Sequence, residues 1–166
     1  EEVAKIENKT TFINCWYFDN HESEAMWKIY CPDNKGVAIQ TTYRKLVESV
    51  KDDDFLFIGK ITYVDYETEE FPNGNTFYPI MHKRKAFQFE NEIRLVKSEY
   101  RKYFQTNSEV PPAGIYHPFN VQEYIYNIYV NPYAQEWYFK VVEDIIRKYN
   151  YQIKIQWSSM KVAPYY

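Results

Sequence analysis

The run KAFQFENEIRLV, residues 85–96, sets two glutamates and an arginine at alternate positions inside an apolar and aromatic stretch. Read as a strand, residues 90–96 put Glu90, Glu92 and Arg94 on one side and Ile93 and Leu95 on the other, because strand side chains alternate between faces. One face suits a core. The other carries two acids and a base, which either work on a ligand or neutralise one another. Few arrangements satisfy both demands, and the rest of the chain is read around this segment.

A chain of 166 residues is near the usual size of one domain, so one domain is expected. Aromatic residues make up 20% of it, with 18 tyrosines, and tyrosine combines buried area with a polar tip. Twenty Lys and Arg against 23 Asp and Glu give a formal charge of -3, so no overall positive field draws nucleic acid. The basic cluster HKRK, 82–85, is read as solvated surface. Cys15 and Cys31 have neither a disulfide framework nor metal-ligand spacing and are expected as reduced, buried thiols. With no leader pattern and no apolar run of spanning length, the expected setting is the cytoplasm, with no membrane partner. The chain begins at Glu1 without methionine, and an opening segment is expected upstream.

TFINCWYF (11–18) reads as a buried strand, followed by a short helix over 24–30 with Met26, Ile29 and Tyr30 at helical spacing. CPDNKG is a turn, VAIQT a second strand, and 42–50 another helix. FLFIGKITYVDY (55–66) reads as one long strand, bent at Gly59, where glycine marks a bulge or a close backbone approach. The loop ETEEFPNGN follows, then a helix over 76–88 from Phe77, Ile80, Met81 and Phe87, then the strand at Glu90. SEYRKYFQ (98–105) is taken as a hairpin partner and SEVPPAGIYHP (108–118) as a loop. YIYNIYV (124–130) alternates as a strand, a helix runs from Asn131 and Pro132 to Tyr149, and 153–157 closes as a strand. Interspersed strands and helices with hairpin links predict a single α+β domain with a mixed, mostly antiparallel sheet and flanking helices.

No Gly-rich phosphate loop, HExxH, paired CxxC or GxSxG occurs, and His21, His82 and His117 stand far apart, so no metal site is expected and no cofactor is specified. Glu90, Glu92 and Arg94 are the candidate catalytic residues, since like charges on one strand face need a cation or ligand among them. Trp27, Tyr30 and Tyr66 are candidates to stack a ligand ring, and Asn14, polar within an apolar strand, is a candidate to bind it.

The segments EAMWKIYCPDNKGVAIQT, ITYVDY, KAFQFENEIRLV and IYNIYVNPYAQE, in this order, resemble the bacterial domain-of-unknown-function family twenty-nine seventy-one. The matching residues are Met26, Trp27, Tyr30, Lys35, Gly36 and Ile39, then Val64 and Tyr66, then Lys85, Phe89, Glu90, Glu92 and Arg94, within residues 12–157. The family's tyrosine-rich opening strand and N-D-P loop have no counterpart. The resemblance implies a fold and a set of positions, but no reaction.

Three functions are carried forward. The first is binding of a nucleotide-like or other small polar ligand, in ADP-ribosyltransferase-like form with a strand-end glutamate on the ribose. The second is a non-catalytic interaction module, which leaves room for a homo-oligomer. The third is a magnesium-dependent nuclease using Asp65, Glu90 and Glu92, with Arg94 where a lysine is usual.

Overall fold

The computed structural model describes residues 2–70, 74–106 and 111–162. In chain order the elements are α1 (Glu2–Thr10), β1 (Thr11–Tyr17), α2 (Glu24–Tyr30), β2 (Val37–Gln40), α3 (Tyr43–Glu48), β3 (Leu56–Lys60) and β4 (Thr62–Val64). They continue with α4 (Tyr78–Met81), β5 (His82–Arg84), a 3-10 helix (Lys85–Glu90), β6 (Glu92–Ser98), α5 (Tyr100–Thr106), α6 (Val121–Tyr124), β7 (Asn127–Val130), α7 (Glu136–Lys148) and β8 (Lys154–Trp157). This is an α+β fold with mostly antiparallel pairing. Among the described residues no helix is long and apolar enough to cross a membrane.

The backbone groups into two compact units, each assembled from two separated stretches. Unit 1 is Glu1–Asp19 with Val50–His117, and unit 2 is Asn20–Ser49 with Pro118–Tyr166.

In unit 1, β6 lies between β1 and β3 and pairs antiparallel with both. Val96 and Ile93, on opposite faces of β6, are both buried, so the central strand is covered on each side. The expected long strand over 55–66 is two strands. It breaks at Ile61, whose N–H donates to the Glu92 carbonyl, and Thr62–Val64 then pairs parallel with β5. Gly59 serves close approach, since a Cβ there would come within 2.7 Å of Met81 Cε. The expected helix over 76–88 is only one turn, begun by Pro79, before the chain extends as β5 and then tightens into the 3-10 helix. Its large apolar residues are interrupted by the basic run from His82 to Lys85, so no continuous helical face exists to bury. Residues 98–105 form no hairpin: the Glu99 N–H reaches the Thr10 carbonyl, and α5 follows, in keeping with the i, i+3 spacing of Tyr100 and Tyr103. Strand β1 is not buried through its length; Ile13, Asn14 and Cys15 are exposed, because it is the edge of its sheet. Residues 71–73 of the acidic loop and 108–110 of the proline-rich loop lie outside the described residues.

Unit 2 is a β2–β7–β8 sheet, antiparallel then parallel, with α7 as the crossover that a parallel β7–β8 pair requires. Ile128, Val130, Leu46, Ile125, Val142 and Ile153 form its core, and Phe139 stacks on Trp157 at 4.8 Å. Asn131 and Pro132 form a buried turn rather than helix; the Asn131 side chain accepts from the Tyr133 N–H, and α7 begins at Glu136. In α2 the buried residue is Trp27, while Ile29, one of the residues at helical spacing, is exposed.

Gly36 gives a direct test of this packing. A Cβ at Gly36 would overlap Cys31 Sγ and come within 3.0 Å of Cys31 Cβ. Gly36→Ala is expected to cost about 1–3 kcal/mol, measured by urea denaturation. Cys31→Ala in the same chain should recover most of that loss.

Candidate functional site

The residues 82–94 build one cluster in unit 1. Glu92 and Arg94 project from the same face of β6, with Cys15 opposite Arg94 on β1 and Gly59 opposite it on β3. Glu90 is not in the strand. It ends the 3-10 helix, and Asn91 between the two acids takes a left-handed conformation (φ 37°), which asparagine tolerates better than most residues. The Asn91 side-chain amide donates to the Phe18 carbonyl, and its own carbonyl accepts from the Phe18 N–H, which fixes the corner against β1. Both acids thereby meet one cation from β5: Lys83 Nζ donates to Glu90 Oε2 and, at 2.7 Å, to Glu92 Oε1.

Arg94 completes the cluster. Its Nε donates to Glu92 Oε2 at 2.7 Å and its Nη1 to the Ile80 carbonyl, tying the strand to the end of α4. The Glu92 N–H donates to the Tyr63 hydroxyl at 2.9 Å. Glu90 is 6% exposed and Glu92 5%, so two carboxylates face two cations nearly out of water.

Burial separates the two acids. For Glu92 burial alone raises the carboxyl, but hydrogen bonds from Glu90, Lys83 and Arg94 outweigh it and hold it down at about 2. For Glu90, burial and then the neighbouring Glu92 push the carboxyl up, so it takes a proton first. The Cys15 thiol, although its residue is exposed on the sheet edge, lies against the cluster and is also pushed up, by desolvation there and then by Glu92. Divergent carboxyls make a proton donor and acceptor pair where a substrate reaches them. Here Lys83 and Arg94 occupy their oxygens, and the cluster as built is a neutralised internal framework.

Lys83 is the residue that sequence reasoning missed. HKRK was read as solvated surface, yet each member has a partner: His82 Nδ1 meets the Tyr78 carbonyl, Arg84 lies 5.0 Å over the Tyr66 ring and Lys85 pairs with Glu69. The signal lay in alternation, since residues of a short strand turn Lys83 away from Arg84.

The other sequence candidates are placed differently. Tyr66 is exposed under Arg84. Asn14 is exposed and accepts from the Trp16 indole N–H two residues along its own strand. Trp27 and Tyr30 belong to unit 2. There Trp27 is buried and its Nε1 donates to Glu22, whose other oxygen accepts from the Ser159 N–H and hydroxyl; Tyr30 is exposed. Burial tends to raise the Glu22 carboxyl, but the hydrogen bonds from Ser158, Ser159 and Trp27 prevail and lower it. Asp65 accepts from the N–H of Glu67 within its own turn, and among the described residues no three His, Cys, Asp or Glu side chains are grouped to hold a metal.

Unit 1 also contains a cavity of about 1060 Å³. Phe55, Phe57, Phe77 and Ile80 supply apolar walls, Ser98 the sheet floor, and Arg101 a cation. Phe57 and Phe77 meet edge to face at 4.9 Å, yet Phe57 is still 50% exposed and Phe55 53%. Among the described residues Arg101 has no ion pair, whereas Lys97 is held by Asp53 at 2.5 Å and Lys102 lies 3.7 Å from Glu99. Ile80 links the cavity to the charged cluster, through its carbonyl on Arg94. None of the seven residues singled out from the sequence lines this cavity. No protein-family model, curated protein or solved structure matches the chain.

Proposed function

We propose that unit 1 binds a small, polar, nucleotide-like ligand in the phenylalanine-lined cavity. The observation that carries this is that exposed phenyl rings and an arginine with no ion pair among the described residues line one cavity. A flat ring gains contact area on the phenyl groups, and a guanidinium offers paired donors to a phosphate or carboxylate. The charged cluster then positions: Arg94 holds the Ile80 carbonyl, and hence that wall, in place.

Isothermal calorimetry with adenosine monophosphate tests the reading. Arg101→Ala and Phe57→Ser, both at partly or fully exposed positions, should each weaken binding at least about tenfold, or 1.4 kcal/mol. No binding by the wild type, or wild-type affinity in both variants, contradicts it. In the ADP-ribosyltransferase-like form the ligand is NAD and a glutamate must leave Lys83 to hold the ribose. Loss of NAD binding in Glu92→Gln supports that form, and intact transfer removes Glu92 from it. The family resemblance contributes residue positions to this proposal and no activity.

A second reading, the non-catalytic interaction module, is favoured by α7. Trp137, Val141, Ile145 and Tyr149 recur at every fourth position and are all exposed. A tight oligomer whose melting temperature does not rise with adenosine monophosphate or NAD would favour it over the cavity reading.

A further inference from the structure

We propose that β1 is a docking edge for a second copy of this chain, which pairs antiparallel with it about a two-fold axis at Asn14. The inference rests on the strand's place and sequence, independently of the cavity.

β1 is the outer strand of its sheet, and all seven of its residues pair with β6 in one unbroken register from Thr11 opposite Ser98 to Tyr17 opposite Glu92. The flanking bonds set which backbone groups point where. The Phe18 N–H donates to the Asn91 carbonyl and the Glu99 N–H to the Thr10 carbonyl, so even-numbered residues make the β6 ladder. Thr11, Ile13, Cys15 and Tyr17 therefore turn their N–H and carbonyl groups away from β6. No other described strand pairs with that edge. Edge strands are normally protected by a charge, a proline or a bulge. TFINCWY contains none of these, and its centre, Ile13, Asn14 and Cys15, is exposed.

The occupant follows from the pattern of the strand itself. A two-fold axis through Asn14 sets Ile13 opposite Cys15 of the second copy and Thr11 opposite Tyr17 of the second copy. These are all outward-turning residues, so they form the hydrogen-bonded pairs. Phe12 falls opposite Trp16 of the second copy, and Asn14 opposite Asn14 of the second copy, in the non-hydrogen-bonded pairs where side chains come closest. Every aromatic ring thus meets an aromatic or a threonine, and the polar amide meets its own kind. The strand carries no charge, so self-pairing sets no like charges against each other, which any charged residue near the axis would do. The product is a six-stranded sheet with an isologous interface, the closed geometry expected of a homodimer.

Sedimentation over the micromolar range and cysteine cross-linking test this together. In a Cys15→Ser, Cys31→Ser background with wild-type melting temperature, Asn14→Cys should form an intermolecular disulfide on mild oxidation. The two Cα atoms on the axis lie about 4.5 Å apart, within disulfide reach. Phe12→Cys should not cross-link, because its symmetry mate is displaced four residues along the strand. Ile13→Lys, at a half-exposed position, should shift the wild-type dimer to monomer while keeping its circular dichroism spectrum. A monomeric wild type, equal cross-linking of the two cysteine variants, or an undiminished Ile13→Lys dimer would each overturn the proposal.

Discussion

Lys83→Met is expected to lower unfolding free energy by about 3–5 kcal/mol, the usual cost of breaking a buried ion pair by removing one partner. The substitution nearly preserves side-chain length, so lost packing explains little of it. What changes is that Glu90 and Glu92, both nearly buried, lose their shared cation while Arg94 serves Glu92 alone. Glu90 then has to take up a proton, move to water or unfold the corner at Asn91. The control is Lys83→Met with Glu90→Met, which removes one charge of each sign. Well-packed apolar replacement of a buried pair is often near neutral, so the double variant should return to within about 1 kcal/mol of wild type. Urea denaturation followed by tryptophan fluorescence reads both values. Equal losses in the single and double variants would mean that the Lys83 ammonium acts through a contact other than Glu90, such as the Phe87 ring 4.8 Å from Nζ.

The second large effect is an acid limb in stability. The Glu92 carboxyl lies at about 2 when folded against an ordinary 4.5, so folding favours its ionised form. That contribution is fully present above about 4.5 and is lost as the pH falls towards 2, a swing of about 3 kcal/mol, since each tenfold change in proton affinity is worth about 1.4 kcal/mol. Glu90 has the opposite sign. Its carboxyl is raised, so its contribution is present below the ordinary carboxylate value and is lost as the pH rises through the folded value. The wild type should therefore lose stability between pH 4.5 and 2 more steeply than Glu92→Gln, whose profile there should be flatter. Parallel profiles for the two proteins would assign the acid limb to other carboxylates, such as Glu22 or Asp53, which are also held low.

The elements that were legible in the sequence are those whose periodicity is local and unbroken. VAIQ, the Thr42-capped helix, the body of the helix leading to Lys148 and the final strand fall where spacing puts them, although that helix starts at Glu136 and not at Asn131. The α+β class followed from their alternation. What failed to show was structure decided by tertiary partners. Residues 76–88 carry apolar positions that suit a helix at one end only, and β5 exists because β4 pairs with it. The face of Glu92 and Arg94 was legible from alternation, and so was the need for a cation. Its principal source was not, because Lys83 lies nine residues away and meets Glu92 only after the left-handed turn at Asn91. Trp27 reads equally well as a stacking ring or a core residue, and its burial and its bond to Glu22 separate the two. The cavity gave no sequence signal, since Phe57, Phe77, Ser98 and Arg101 come from separate elements and share no spacing.

The most direct test is nuclear magnetic resonance mapping of isotopically labelled protein titrated with adenosine monophosphate. Saturable shifts centred on Phe57, Phe77, Ile80, Ser98 and Arg101, abolished in Phe57→Ser, are the expected result. Shifts centred instead on Lys83, Glu90 and Glu92, with the phenylalanine wall silent, would place the ligand on the charged cluster and contradict its assignment as framework.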